Sequence, residues 1–245
     1  MRTVVLGDIH LGSPLCRAQM LREVLATVPF DRLVLNGDVF DDLNFRRLRS
    51  EHWGVMQAVR DLAQEREVIW IRGNHDGSAE VLRHLLGIPV LEEFRFGFRG
   101  EGVLVVHGDA FDDFQKSATT LKRLRHVFYG FVIWFDVPRK TAIQWAQRSS
   151  SVFARAVDKV KRKALHAARE RGVRYVVVGH THHREHAEHD GLVYLNPSSW
   201  LTPTPAYVLF DEAEPAPRMV VVHAGRRPGA IAASLRGLTR PSRTS

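Results

Sequence analysis

One cysteine, Cys16, is all that the chain contains. A single thiol excludes an intramolecular disulfide framework and cannot by itself build a cysteine-rich zinc site, which fits a reducing compartment. Cys16 reads as an ordinary, partly buried thiol rather than a nucleophile. No apolar run approaches the ~18–20 residues that a membrane-spanning helix needs; the longest, Val127 to Phe135, is about half that length. Nor does the N-terminus carry a basic segment followed by a long apolar one, so no signal peptide is expected. Internal repeats are missing as well. These absences predict a cytoplasmic protein, free or resting on the inner face of a membrane.

The chain does have enough material for one large α/β domain: 245 residues, 44% of them hydrophobic. Its net charge of +8 is unevenly spread. Residues 114–170 hold 13 Lys and Arg against 3 acids, and residues 226–245 hold five arginines and no acid. The remainder therefore carries more acid than base. The expected organisation is a catalytic domain over residues 1–225, a basic insertion at about 114–170, and a disordered basic tail over 226–245. Basic surplus of this kind suits a polyanion or an anionic bilayer.

Over the first hundred residues, strand and helix patterns alternate. Thr3–Leu6, Arg32–Leu35 and Val68–Ile71 are short apolar, β-branched runs; Arg17–Val28 has helical apolar spacing. Ser50 reads as an N-cap, followed by Trp53, Met56, Val59, Leu62 and Ala63 on one helical face. This rhythm predicts a largely parallel sheet layered with helices. Glu93–Gly97 and Val103–Val106 read as a hairpin. Arg174–Val178, Leu192–Leu195 and Tyr207–Phe210 continue a second sheet, and Met219–His223 adds an edge strand. Within the insertion, Leu121, Leu124, Phe128, Phe131 and Phe135 mark one helix, and Pro138 ends it. Val152, Ala156, Val160 and Ala164 mark a second helix, with Arg155, Lys159 and Lys163 as a basic stripe. We read the pair as a helical cap over the site described next. Aromatic residues beside lysine and arginine suit a lipid with a phosphorylated headgroup, or a peripheral membrane contact.

Five short motifs carry the chemistry: Asp8-Ile9-His10, Gly37-Asp38, Gly73-Asn74-His75-Asp76, His107-Gly108-Asp109 and Gly179-His180-Thr181-His182. Most follow a strand directly, and folds of this class bind ligands at the carboxyl ends of their strands. The donors are Asp, His and Asn, which suit paired divalent metals. His180 and His182 are two residues apart, so on an extended chain both face one side. His183, His186 and His189, by contrast, read as a surface loop. His75 is positioned to protonate a departing oxygen, with Asp76 keeping it cationic. Asp41 and Asp109 are expected to orient ligand imidazoles.

The order and content of these motifs resemble the calcineurin-like metallophosphoesterase superfamily, with Asp38-Val39-Phe40-Asp41 completing its second block. The resemblance implies a four-layer α/β/β/α sandwich with an inserted cap. It also implies two divalent metals: Asp8, His10 and His182 on the first, Asn74, His107 and His180 on the second, and Asp38 bridging. Within the superfamily, the chain is similar to the UDP-2,3-diacylglucosamine diphosphatase group, on Gly7-Asp8-Ile9-His10, on the block from His107 to Asp113, on Ser149-Ser150-Ser151 with its lysine-rich surroundings, and on Gly179 to His182. That group cleaves the pyrophosphate of a UDP-linked diacyl sugar, usually with Mn2+. By position, Asp113, Ser149, Lys159 and Lys163 would then contact substrate. The lipid A enzymes of that group carry Arg where this chain has His75. A metal-dependent nuclease or general phosphodiesterase is the alternative, with nucleic acid as partner. A protein phosphatase fits a basic lid poorly, and a catalytically dead binding module fits the intact ligand set poorly.

Overall fold

The computed structural model describes residues 1–112 and 151–225. The first expected cap helix, Asp113, Ser149 and the arginine tail lie outside the described residues. Among the described residues, no helix is long and apolar enough to cross a membrane.

Two sheets form the centre. The first joins β1 (Arg2–Gly7), β2 (Arg32–Asn36), β3 (Glu67–Ile71), β4 (Val90–Leu91), β10 (Ala206–Asp211) and β11 (Arg218–Val221), in the order β11-β10-β1-β2-β3-β4. Strands β1 to β4 run parallel, with Gly7 opposite Asn36 and Asn36 opposite Ile71, so their carboxyl ends finish level. The second sheet joins β5 (Glu93–Phe98), β6 (Glu101–Val106), β7 (Tyr175–Val178), β8 (Glu185–His189) and β9 (Leu192–Asn196), in the order β5-β6-β7-β9-β8. Here β6, β7 and β9 are parallel.

Three apolar layers follow from the two-residue period of the strands. Leu33, Leu35, Val68 and Trp70 face α1 (Ala18–Thr27) and α2 (Ser50–Glu65), against Leu21, Val24, Val55 and Val59. The alternate residues Val34, Ile69 and Ile71 meet Val105, Val177 and Leu195 of the second sheet. The outer face of that sheet, with Leu104, Val176, Val178 and Tyr194, is covered by Val160, Ala164 and Ala168 of α4 (Ser151–Glu170). The result is the four-layer α/β/β/α sandwich.

Local details depart from the sequence reading. Ser50 is the first helical residue of α2 rather than its cap, and His52 Nδ1 accepts the Arg49 backbone N–H at 3.1 Å. Trp53, expected on the buried face, is 49% exposed, because the stripe that packs is His52, Val55, Met56 and Val59. A helix α3 (Ala79–Leu86) was not foreseen; Ser78 Oγ accepts from the Val81 N–H at its start, and Gly87 closes it at φ 69°. His186 and His189, expected in a loop, belong to the edge strand β8.

From Val157 onward, the second helix of the expected cap forms the outer layer of the second sheet. Periodicity reports an apolar face but not what covers it, so cap and layer look alike in sequence. Ala164→Asp should therefore place an uncompensated carboxylate against the sheet and lower unfolding free energy by roughly 3–5 kcal/mol. Arg162→Ala, on the exposed face, should change it by less than about 0.5 kcal/mol. Equal urea midpoints for the two variants would contradict this packing.

Candidate metal centre

All five motifs begin where a strand ends: β1 before Asp8, β2 before Asp38, β3 before Asn74, β6 before His107 and β7 before His180. The chain must turn sharply there to aim a side chain across the sheet edge. Asp8, His10, Asp38, His180 and His182 accordingly have φ between 48° and 62°, the left-handed region. Asp and His tolerate that region better than most residues, yet each such residue costs on the order of 1–3 kcal/mol. Hydrogen bonds hold the turns: Asp8 N–H to the Gly37 carbonyl (3.2 Å), His10 N–H to the Asp38 carbonyl (2.9 Å), and His180 N–H to the Asp8 carboxylate (2.9 Å to Oδ1).

Three groups of ligand atoms result among the described residues: His10, Asp41 and His75 form one, and the other two meet at Asp38. Asp8, His10, Asp38 and His182 bring one atom each within 4.8 Å of one another. His10 Nε2 and His182 Nε2 face each other at 3.0 Å, and His182 Nε2 is 3.3 Å from Asp8 Oδ1. Asp38, His107 and His180 form the other group within the same limit. Asn74 Oδ1 joins it, 3.3 Å from His107 Nε2 and 3.0 Å from His180 Nδ1. Asp38 belongs to both of these groups, with Oδ2 3.8 Å from His10 Nε2 and 3.4 Å from His107 Nε2. Seven expected ligands thus come together, in the two sets that the resemblance implied.

The far nitrogens of the rings are occupied in a way that suits metal ligation. His107 Nδ1 donates to the Asn36 carbonyl (3.1 Å), a group that can only accept, so in the neutral ring the Nε2 lone pair faces Asn74 and Asp38. His180 Nε2 meets Asp112 Oδ2 at 3.2 Å, leaving Nδ1 toward the centre. His10 Nδ1 lies 3.4 Å from Asp41 Oδ1. Ligand histidines ordinarily donate their second N–H to such acceptors, which fixes tautomer and ring orientation. Asp41 therefore has the expected place, whereas Asn36 and Asp112 occupy the places expected of Asp109. A backbone carbonyl has no side-chain signature, so Asn36 was invisible in sequence.

Electrostatics reinforce the grouping. Burial would raise the Asp38 carboxyl, but His107, His10 and His75 outweigh it and hold it well below the usual carboxylate range. Burial likewise opposes ionisation of Asp8, and His182 and His107 lower it on balance. Burial would lower the His107 imidazolium, yet Asp38 first, then Asp8 and Asp109, push it up to about 10. Two fully buried carboxylates facing imidazole nitrogens form a donor set of oxygen and nitrogen that fits divalent cations.

His75 stands at the rim. Its backbone N–H donates to Asp38 Oδ1 (2.8 Å), and its Nδ1 donates to the Asp41 carbonyl (2.7 Å). Asp76 does not orient that ring. Its buried carboxylate accepts from the backbone of Gly73 (2.9 Å) and Phe40 (3.1 Å) and from Trp70 Nε1 (3.1 Å). Burial and the Asp38 charge raise its pKa against those donors. Asp76 thus fastens the Gly73–Asp76 loop to the loop after β2, a role that adjacency in sequence could not show. Lys159 and Lys163 lie on α4, the first exposed and the second half-buried. Near the start of that helix, the ring of Phe153 is 6.4 Å from His183, beside the Gly179–His182 turn.

Comparison with known proteins gives a match to the family model for calcineurin-like phosphoesterases over residues 1–184. Among solved structures, an archaeal phosphodiesterase is 16% identical, over 91% of this chain and 100% of its own, with a TM-score of 0.50, which shows a shared fold. The Escherichia coli phosphoesterase YfcE is 18% identical over 86% of this chain and 88% of its own (TM-score 0.49). Vps29 from Entamoeba histolytica, solved in complex with zinc, is 17% identical over 91% and 98% (TM-score 0.44). No curated protein sequence matches the chain.

Close backbone approach makes the centre sensitive to single methyl groups. A Cβ on Gly179 would lie 2.6 Å from Asp8 Oδ2 and 3.3 Å from the Asn36 carbonyl. Gly179→Ala should therefore weaken metal binding at least about tenfold, measured by titration of chelator-treated protein; unchanged affinity would contradict the geometry. Cys16 is outside the centre, and burial, with the charges of Asp41 and Glu51, pushes its thiol up to about 12. Its alkylation at pH 8 should be at least about 10²-fold slower in the folded protein than in denaturant; equal rates would refute that assignment.

Proposed function

The chain belongs to the calcineurin-like phosphoesterase family, and from that premise we propose a dinuclear, Mn2+-dependent hydrolase that cleaves a pyrophosphate in a nucleotide-linked lipid of the UDP-diacylglucosamine type. Metal-dependent phosphoester hydrolysis is the family's activity; metal identity and substrate are the proposal. The observation that carries the dinuclear reading is Asp38, shared by two of the ligand groups.

Asp8, His10 and His182 would hold one ion, Asn74, His107 and His180 the other, and Asp38 both. Bound there, two divalent ions supply Lewis acidity toward the phosphoryl oxygens and lower the pKa of an attacking water. The chain's own residues arrange the rest. The Asn36 carbonyl and Asp112 hold the rings of His107 and His180, and Asp41 lies 3.4 Å from His10 Nδ1. The His75 Nδ1–H is committed to the Asp41 carbonyl. Any proton that His75 gives to a departing oxygen therefore comes from Nε2.

Support for a phosphorylated lipid comes from position and charge. Arg155 and Lys159 are exposed on α4, two and six residues after Phe153, whose ring meets His183. A cationic stripe on that helix suits a second phosphate and an anionic membrane surface. Lys159 and Lys163 are the substrate contacts of this reading; Asp113 and Ser149 would join them from the insertion.

Manganese-loaded protein should release UMP from UDP-2,3-diacylglucosamine, detected by mass spectrometry, and Asp38→Ala should abolish the release while circular dichroism stays native. Turnover of a simple diester or of nucleic acid without UMP release would move the substrate to the phosphodiesterase or nuclease reading. Full activity in Asp38→Ala would contradict the shared carboxylate itself.

A further inference from the structure

The Asp8 carboxylate receives the His180 N–H, and a further segment holds the rest of the turn in which His180 and His182 take left-handed backbone. Such conformations persist when their surroundings over-determine them. The segment that surrounds these two is Asn196-Pro197-Ser198-Ser199-Trp200, which joins β9 to β10. It is polar in large part, yet buried from end to end, with Asn196 and Trp200 at 0% exposure.

Its hydrogen bonds run to the ligand-bearing turns. Asn196 Nδ2 donates to the Gly179 carbonyl (2.9 Å) and to Thr181 Oγ1 (3.0 Å), the residues on either side of His180. Its Oδ1 accepts from the Ser198 N–H (2.9 Å), which fixes the carboxamide's orientation. Ser198 Oγ donates to the His182 carbonyl (2.9 Å), and the Trp200 N–H donates to the Asp8 carbonyl (3.0 Å). The backbone of His182 and Asp8 and the flanks of His180 are thus gripped by one buried segment.

We infer that Asn196 is a positioning residue of the metal centre: its carboxamide sets the Gly179–His182 turn so that His180 Nδ1 and His182 Nε2 point at their cation sites. A group that merely satisfied the core could bond within its own strand. The Asn196 Nδ2 does reach the Tyr194 hydroxyl of its own strand at 3.5 Å, but its two shorter bonds serve the turn that carries His180 and His182. Thr181 has a corresponding part, since its hydroxyl receives one of those bonds. The inference rests on the metal reading of the site.

Calorimetric titration of the chelator-treated, full-length protein with Mn2+ tests it. Wild type should bind two equivalents. Asn196→Asp keeps the volume and the acceptor for Ser198 but removes the donor, and should bind Mn2+ at least about tenfold more weakly. Its metal-free melting temperature should fall, because the new carboxylate is buried against the Gly179 carbonyl, and the rise in melting temperature on adding Mn2+ should shrink as well. Thr181→Val removes one acceptor at a half-buried site and should show a smaller loss in the same direction. It decides the matter if Asn196→Asp does not fold. Wild-type Mn2+ affinity in Thr181→Val and in folded Asn196→Asp would overturn the inference, whatever their melting temperatures. A wild type that binds no Mn2+ would instead remove the metal reading, and the inference with it.

Discussion

Two carboxylates, Asp8 and Asp38, sit at the ends of neighbouring parallel strands with almost no access to water. Isolated buried charges of this kind are strongly unfavourable, and they are sustained only by partners of opposite charge. In this fold the partners are imidazoles from four separate places in the chain, His10, His75, His107 and the His180–His182 turn, brought to the same edge by two sheets packed face to face. The architecture follows from that requirement. Parallel β1, β2 and β3 deliver Asp8, Asp38 and Asn74, while parallel β6 and β7 deliver His107 and His180 across the interface. The left-handed turns, the glycines against which the ligands pack and the acceptors behind each ring all serve to keep those groups converged.

Much of this was legible in the sequence, because short motifs are local. An Asp or His after an apolar β-branched run announces both its strand end and its chemistry, so the residues that converge and the parallel strands β1 to β3 could be read directly, whereas Tyr207–Phe210, expected in the second sheet, pairs antiparallel with β1 in the first. What escaped was whatever depends on contacts between distant segments. Asp76 is adjacent to His75 in sequence but bonds to Phe40 and Trp70 in space. Asn36 acts through a carbonyl, and Asn196 lies in a stretch whose composition looks like an ordinary turn. Trp53 fits the helical period of α2, yet the helix packs on a face rotated away from it. Periodicity likewise identified the apolar face of α4 without revealing that the second sheet covers much of it.

Chemistry and charge are divided between two parts of the molecule. The core that carries the motifs holds the carboxylates, and the basic surplus lies on the insertion and the tail. Helix α4 joins the two: its buried face belongs to the third apolar layer, and its exposed cations begin near the Gly179–His182 turn. The layer that covers the second sheet and the exposed cations therefore belong to one helix, while backbone turns aim the Asp and His side chains of the motifs.

On the proposed function, Asp38 would bring two cations together at a single centre. Electron paramagnetic resonance of the protein titrated with Mn2+ addresses it most directly. At two equivalents the account predicts the closely spaced multiline signal of exchange-coupled ions, lost in Asp38→Ala. The signal of isolated Mn2+ at every loading of the wild type would contradict it.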